Sequence, residues 1–216
     1  MVKKLLKHEF IYYFRTFALF LPIVLVIGVM ARVFRLFENF DSVLVDIALF
    51  SSFLMLVVAC AALIMLSVVV SVVRFYKNMY SAEGYLTFTL PVTNTQHIFV
   101  KMISAMLFQS VCLVTVILSV LIAGSGEALL ELFQIFGFAI GELASLVGTP
   151  NLIAYALEFL LVVLIAAASN LLLFYACITI GQLAKKNRIL LAIGAYFIYY
   201  VASQILSTIF TIIFAV

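Results

Sequence analysis

Charge is scarce in this chain: Asp, Glu, Lys and Arg make up 10% of its 216 residues, against 68% hydrophobic residues. A soluble globular domain carries about a quarter charged and about half apolar residues, so this composition excludes one and points to an integral membrane protein. Strand signals are missing as well. No run shows the ten-residue alternation of a membrane barrel, whereas several apolar stretches exceed the roughly 20 residues that cross a bilayer as a helix, so the expected fold is all-α. Catalytic signatures are absent: there is no His-Glu-x-x-His, no Gly-x-Ser-x-Gly, no glycine-rich loop ahead of a Lys-Ser/Thr pair, and no acidic cluster inside a span. The only histidines, His8 and His97, both fall near a membrane surface, where they read as interfacial polar residues rather than metal ligands. Cys60, Cys112 and Cys177 each stand alone in an apolar run and read as small buried fillers. A cleavable signal is not expected either. Lys3, Lys4 and Lys7 are separated from the first apolar run by aromatic and charged residues up to Arg15, and no small-residue cleavage site follows.

What remains is a single transmembrane domain over residues 1–216, an all-α polytopic membrane protein with five to six transmembrane helices. Residues 1–15 mix lysines with aromatic and aliphatic side chains and predict a short helix in the headgroup region, its bases toward anionic lipid. Spans are expected at 17–36, 43–76, 98–123, 151–184 and 188–216. The second apolar run, Val43 to Val73, covers roughly 45 Å at 1.5 Å per residue, so it must tilt or project from the bilayer. Residues 127–148 look like a span by hydropathy, yet Glu127, Glu131, Gln134, Glu142 and Ser145 fall on one side of a helix and Phe133, Phe136, Ile140 and Leu143 on the other. That segment is expected to be an external amphipathic or re-entrant element, with Gly137 and Gly141 allowing a bend or a close helix contact. The chain stops at Val216 inside an apolar run, so either its end lies outside or a final helix follows.

The bases give the orientation. With five crossings, the lysines and arginines at positions 3, 4, 7, 15, 74, 77, 101, 185, 186 and 188 share one face, and only Arg32 and Arg35 lie opposite. Most acids, including Glu38, Asp41, Asp46, Glu131 and Glu158, sort toward those two arginines. The positive-inside rule then makes the basic face cytoplasmic and the protein a multi-pass component of a bacterial plasma membrane with its N-terminus inside.

One polar segment, Arg74 to Lys101, interrupts the hydrocarbon-soluble runs on that face. Ser81 can cap a short helix through Glu83 and Leu86, and Pro91 stops it. Thr93 and Gln96 then have capping-box spacing and open the next helix, leaving 77–97 as a locally specified loop. Polar residues inside the spans are read as helix-to-helix hydrogen bonds, or as a polar pathway at a subunit interface marked by Ser67, Ser71, Gln109, Asn170 and Gln204.

Glu83-Gly84-Tyr85-Leu86, followed by Thr89-Leu90-Pro91 and Lys101, resembles the cytoplasmic loop of the membrane subunits of ABC-2-type ABC exporters, especially the small permeases of Gram-positive bacteria. The resemblance implies a non-catalytic permease that switches from inward- to outward-facing and exports a hydrophobic or amphipathic passenger, peptide favoured. It implies that Ser81, Glu83, Gly84, Tyr85, Leu86, Leu90 and Pro91 form a coupling helix docked on an ABC ATPase subunit. Glu83 would offer a carboxylate to that partner, and Tyr85, Leu86 and Leu90 an apolar plug. No cofactor is expected in this chain, ATP and Mg belonging to the ATPase; the other partners are a second permease copy or paralogue, a homodimer favoured, and the bilayer, with no nucleic acid. The competing reading is an ATPase-independent carrier or membrane-embedded accessory protein. A carrier would show intramembrane ion-binding charges and an internal repeat, and neither stands out.

Overall fold

Apolar side chains without strand periodicity leave a helix as the way to satisfy every backbone group in hydrocarbon. In the computed structural model, residues 2–38, 42–81, 84, 93–124, 126–184 and 186–215 are described. They form seven helices and no strand, and 92% of these described residues are helical. The helices are α1 (Val2–Phe17), α2 (Phe20–Arg35), α3 (Val43–Tyr80), α4 (Asn94–Ala123), α5 (Gly126–Val147), α6 (Thr149–Gly181) and α7 (Arg188–Ala215). Four of them, α3, α4, α6 and α7, are long and apolar enough to cross a membrane, and a fifth span results if α1 and α2, bent by 40°, count as one. α2 alone has 16 residues, about 24 Å, and is shorter than the roughly 30 Å hydrocarbon layer. α3 has 38 residues, about 57 Å, and extends past the bilayer as one unbroken helix.

The chain divides into two compact units, residues Met1–Ser71 with Thr93–Leu164, and residues Val72–Val92 with Ile165–Val216. In the first unit the bent α1–α2 pair runs beside α4 in the same direction. Glu9 meets Lys101, Gly28 meets Ser119, and Arg32 meets Gly124. The faces responsible have helical spacing: Glu9, Tyr13 and Phe17 on α1, then Val24, Gly28 and Ala31 on α2, and His97, Lys101, Phe108, Cys112, Thr115 and Ser119 on α4 are all buried. Phe108 is the hub for α1, its ring 5.2 Å from Tyr13, 4.9 Å from Phe17 and 6.4 Å from Phe10. The far end of α4 is closed by cations. Arg32 donates to the Gly124 carbonyl at 2.6 Å and Arg35 to the Ala123 carbonyl at 3.3 Å, where the last carbonyls of a helix lack partners of their own.

Gly28 is a point of close backbone approach in that interface. A Cβ there would sit 2.8 Å from the Ser119 carbonyl oxygen, so only glycine lets the two backbones approach this closely. Gly28→Val is expected to lower stability by about 1–3 kcal/mol, as overpacking does. Titration of the detergent-solubilised protein with a denaturing detergent reads this directly, and an unshifted midpoint would mean that α2 does not pack on α4 there.

α5 is one unbroken helix over the segment expected to be amphipathic. Its described large apolar side chains, Phe133, Phe136, Ile140 and Leu143 among them, are all exposed. Of the two uses its glycines allow, a bend or a close helix contact, neither is seen among the described residues: the helix is unbroken, and a Cβ on Gly137 or Gly141 would meet nothing within 4 Å. The three cysteines are buried and free, as fillers should be.

In the second unit, the last turns of α3 pack on the end of α6. Phe75 stacks on Tyr175 with ring centroids 3.9 Å apart and planes 8° from parallel. Further along, Phe174 of α6 stacks on Tyr196 of α7 at 5.4 Å. Asn187 takes a left-handed φ of 62° in the short α6–α7 connection, a conformation asparagine tolerates better than most residues.

Candidate functional site

The polar segment between α3 and α4 can be built only from its two roots. Glu83, Tyr85, Leu86, Leu90 and Pro91 lie outside the described residues, while Ser81 and Gly84 are described. α3 ends at Tyr80 because Ser81 bends the chain. The Gly84 N–H then donates to the Ser81 carbonyl at 2.8 Å, which turns the backbone back on α3. A Cβ on Gly84 would fall 2.8 Å from the Met79 carbonyl oxygen, so the turn has room for glycine alone.

The first root is fastened to α6. The Tyr80 hydroxyl donates to Thr179 Oγ1 at 2.9 Å, and the Thr179 hydroxyl donates onward to the Tyr175 carbonyl at 2.8 Å. With the Phe75–Tyr175 stack one turn earlier, aromatic contact and hydrogen bonds hold α3 at the point where the polar segment leaves it. A stacked pair of this kind adds about 0.5–1.5 kcal/mol to the area it buries.

The second root is fastened to α1. Thr93 is extended, with φ −71° and ψ 151°, and caps α4; its N–H donates to Gln96 Oε1 at 3.4 Å, the reach-back half of the expected capping box. One turn later Lys101 Nζ lies 2.9 Å from Glu9 Oε1, with the two side chains only 4% and 7% exposed. His97, on the same face, is 1% exposed, and neither ring nitrogen has a hydrogen-bond partner among the described residues. The sequence predicts His97 as an interfacial polar residue and Lys101 as a member of the basic membrane face; their spacing places both on the stripe of α4 that α1 covers. Glu9 went unremarked in the sequence. The signal that finds it is the i, i+4, i+8 spacing of Glu9, Tyr13 and Phe17, a buried stripe whose one charge requires an opposite charge across from it.

The residues expected to mark a polar pathway are dispersed. Ser67 and Ser71 occupy successive turns of α3 and are buried, their hydroxyls donating to the carbonyls of Ile64 at 2.6 Å and Ser67 at 2.8 Å. Gln109 on α4 is half-buried, whereas Asn170 on α6 and Gln204 on α7 are exposed and belong to the other unit.

Long apolar helices, exposed hydrocarbon side chains around most of them, and polar groups concentrated at helix ends define a polytopic α-helical membrane protein. Comparison with protein-family models, with curated proteins and with solved structures finds no match.

Proposed function

We propose that the chain is the membrane-spanning permease subunit of an ATP-driven exporter of the ABC-2 type, moving a hydrophobic or amphipathic passenger, peptide favoured, by alternating access. The observation that carries the reading is the double anchorage of the polar segment. Its first root is bonded to α6 in one compact unit and its second to α1 in the other. Each end of the segment thus meets a fastened helix, α6 through Tyr80 and α1 through Lys101, as a lever for rigid-body motion requires. Charge supports the sidedness: in the first unit, the lysine-rich α1 packs at one end of α4, and Arg32 and Arg35 bind at the other. By the positive-inside rule the polar segment then faces the cytoplasm of a bacterial cell, where a separate ATPase carrying ATP and Mg docks on Glu83, Tyr85, Leu86 and Leu90. Two ATPase sites call for two permease halves, and α7, on which no described residue is fully buried, has surface left to face lipid or a second copy of this chain.

The double variant Glu83→Arg with Leu86→Asp is expected to release the ATPase while leaving the spans folded. Co-purification from mild detergent and stimulated ATP hydrolysis are the readouts. Full retention of both in the variant counts against the docking, and recovery of the wild-type chain without any ATPase favours an ATPase-independent carrier.

A further inference from the structure

The second unit contains a groove that the exporter reading does not use. It has a volume of about 410 Å³, within the range of roughly 300–1,000 Å³ of small-molecule sites. Its walls come from three helices: Val72 and Tyr76 of α3, Phe174 and Ile178 of α6, and Ala192 and Tyr196 of α7. None of these six brings a charge, so the slot suits a hydrocarbon chain. The lining also includes Gln182 and Arg188, which flank the α6–α7 connection at one end of these helices.

Among the residues lining the groove the charged one is Arg188, and Lys186 lies two residues before it in the chain. By sequence, the segments of this unit, 72–92 and 165–216, hold five bases and one acid. Lys77, Lys186 and Arg188 are exposed. A long basic side chain can lay its stem along apolar surface and keep its charge in the headgroup layer, and a guanidinium matches phosphate oxygens in geometry. The connection itself is shaped for close approach. A Cβ on Gly181 would lie 2.7 Å from both the Arg188 carbonyl oxygen and Ala192 Cβ, so glycine brings the start of α7 against the end of α6 beside the groove.

We propose that this groove holds an acyl chain of an anionic phospholipid whose phosphate is bound by Arg188 and Lys186. An apolar slot with Arg188 in its lining and Lys186 two residues away in the chain selects a ligand with both a hydrocarbon chain and a negative head, which neither a free phosphate nor a neutral detergent has. The site stands on the second unit alone, so it does not depend on an ATPase partner.

The test uses the full chain reconstituted in bilayers of equal phosphatidylglycerol and phosphatidylcholine with identical acyl chains, then extracted in mild detergent. Retained lipid is counted by native mass spectrometry. The wild type is expected to keep phosphatidylglycerol about twenty-five-fold over phosphatidylcholine, the combined effect of two cations at about fivefold each. Lys186→Gln with Arg188→Gln is expected to bring that ratio close to one while lipid is still retained, because the slot is intact. Ala192→Phe fills the slot and is expected to remove both lipids together, with monodispersity on gel filtration checking the fold. Equal retention of the two lipids by the wild type overturns the proposal and leaves a neutral-amphiphile slot. An unchanged ratio in the double variant also overturns it, and decides the matter if Ala192→Phe does not fold.

Discussion

Lys101→Met is expected to destabilise the first unit by about 3–5 kcal/mol, the usual cost of removing one member of a buried ion pair. Lys101 Nζ and Glu9 Oε1 are 2.9 Å apart and almost excluded from water, so the substitution leaves a carboxylate in a site built for a neutralised pair. The pair itself need not be strongly stabilising, because bringing both charges out of water costs as much as their attraction returns. Lys101→Met with Glu9→Leu should therefore recover most of the loss. That non-additivity separates a buried pair from a surface one, for which each single change would cost less than about 1 kcal/mol and the effects would add. Denaturing-detergent titration of the two single variants and the double variant completes the cycle, and small additive costs would show that water reaches the pair.

Phe108→Ala should cost a similar amount, about 3–5 kcal/mol, by opening a cavity under three rings. Phe108 is 3% exposed and is the common contact of Phe10, Tyr13 and Phe17, so its loss removes most of the aromatic packing between α1 and α4. Phe99→Ala is the control. It lies on the same helix but is 56% exposed, and its removal should change stability by no more than about 0.5 kcal/mol. Limited trypsin digestion gives an independent readout: once α1 detaches, Lys7 and Arg15 should be cut faster in the Phe108 variant than in the Phe99 variant. Equal digestion of the two would mean that α1 is held by something other than this ring cluster.

Together these variants address how the polar segment is rooted. Glu9 and Phe108 hold the α4 side, while Phe75, Tyr80 and Thr179 hold the α3 side. Neither root depends on the residues proposed to meet an ATPase, so loss of docking in Glu83→Arg with Leu86→Asp is distinguishable from loss of fold.

Much of the helical order was legible because hydrocarbon gives backbone groups no partner but one another, and long apolar runs then have a single local solution. The helix over Gly126–Val147 and the cap at Thr93 follow from spacing alone, through one-sided acids in the first case and Thr93 with Gln96 in the second. Pairing was not legible. An apolar residue facing lipid and one facing protein look alike in a sequence this hydrophobic, so hydropathy did not distinguish buried Phe108 from exposed Phe99. Composition and periodicity by themselves determined that the chain is a polytopic helical membrane protein with a long polar interruption between Arg74 and Lys101. Only tertiary structure decided that Glu9 neutralises Lys101, that Gly28 brings α2 against Ser119, and that α3, α6 and α7 enclose a groove beside Arg188. The reason is physical: local sequence sets which backbone hydrogen bonds form, whereas charge pairing, close approach and concavity arise between segments far apart in the chain.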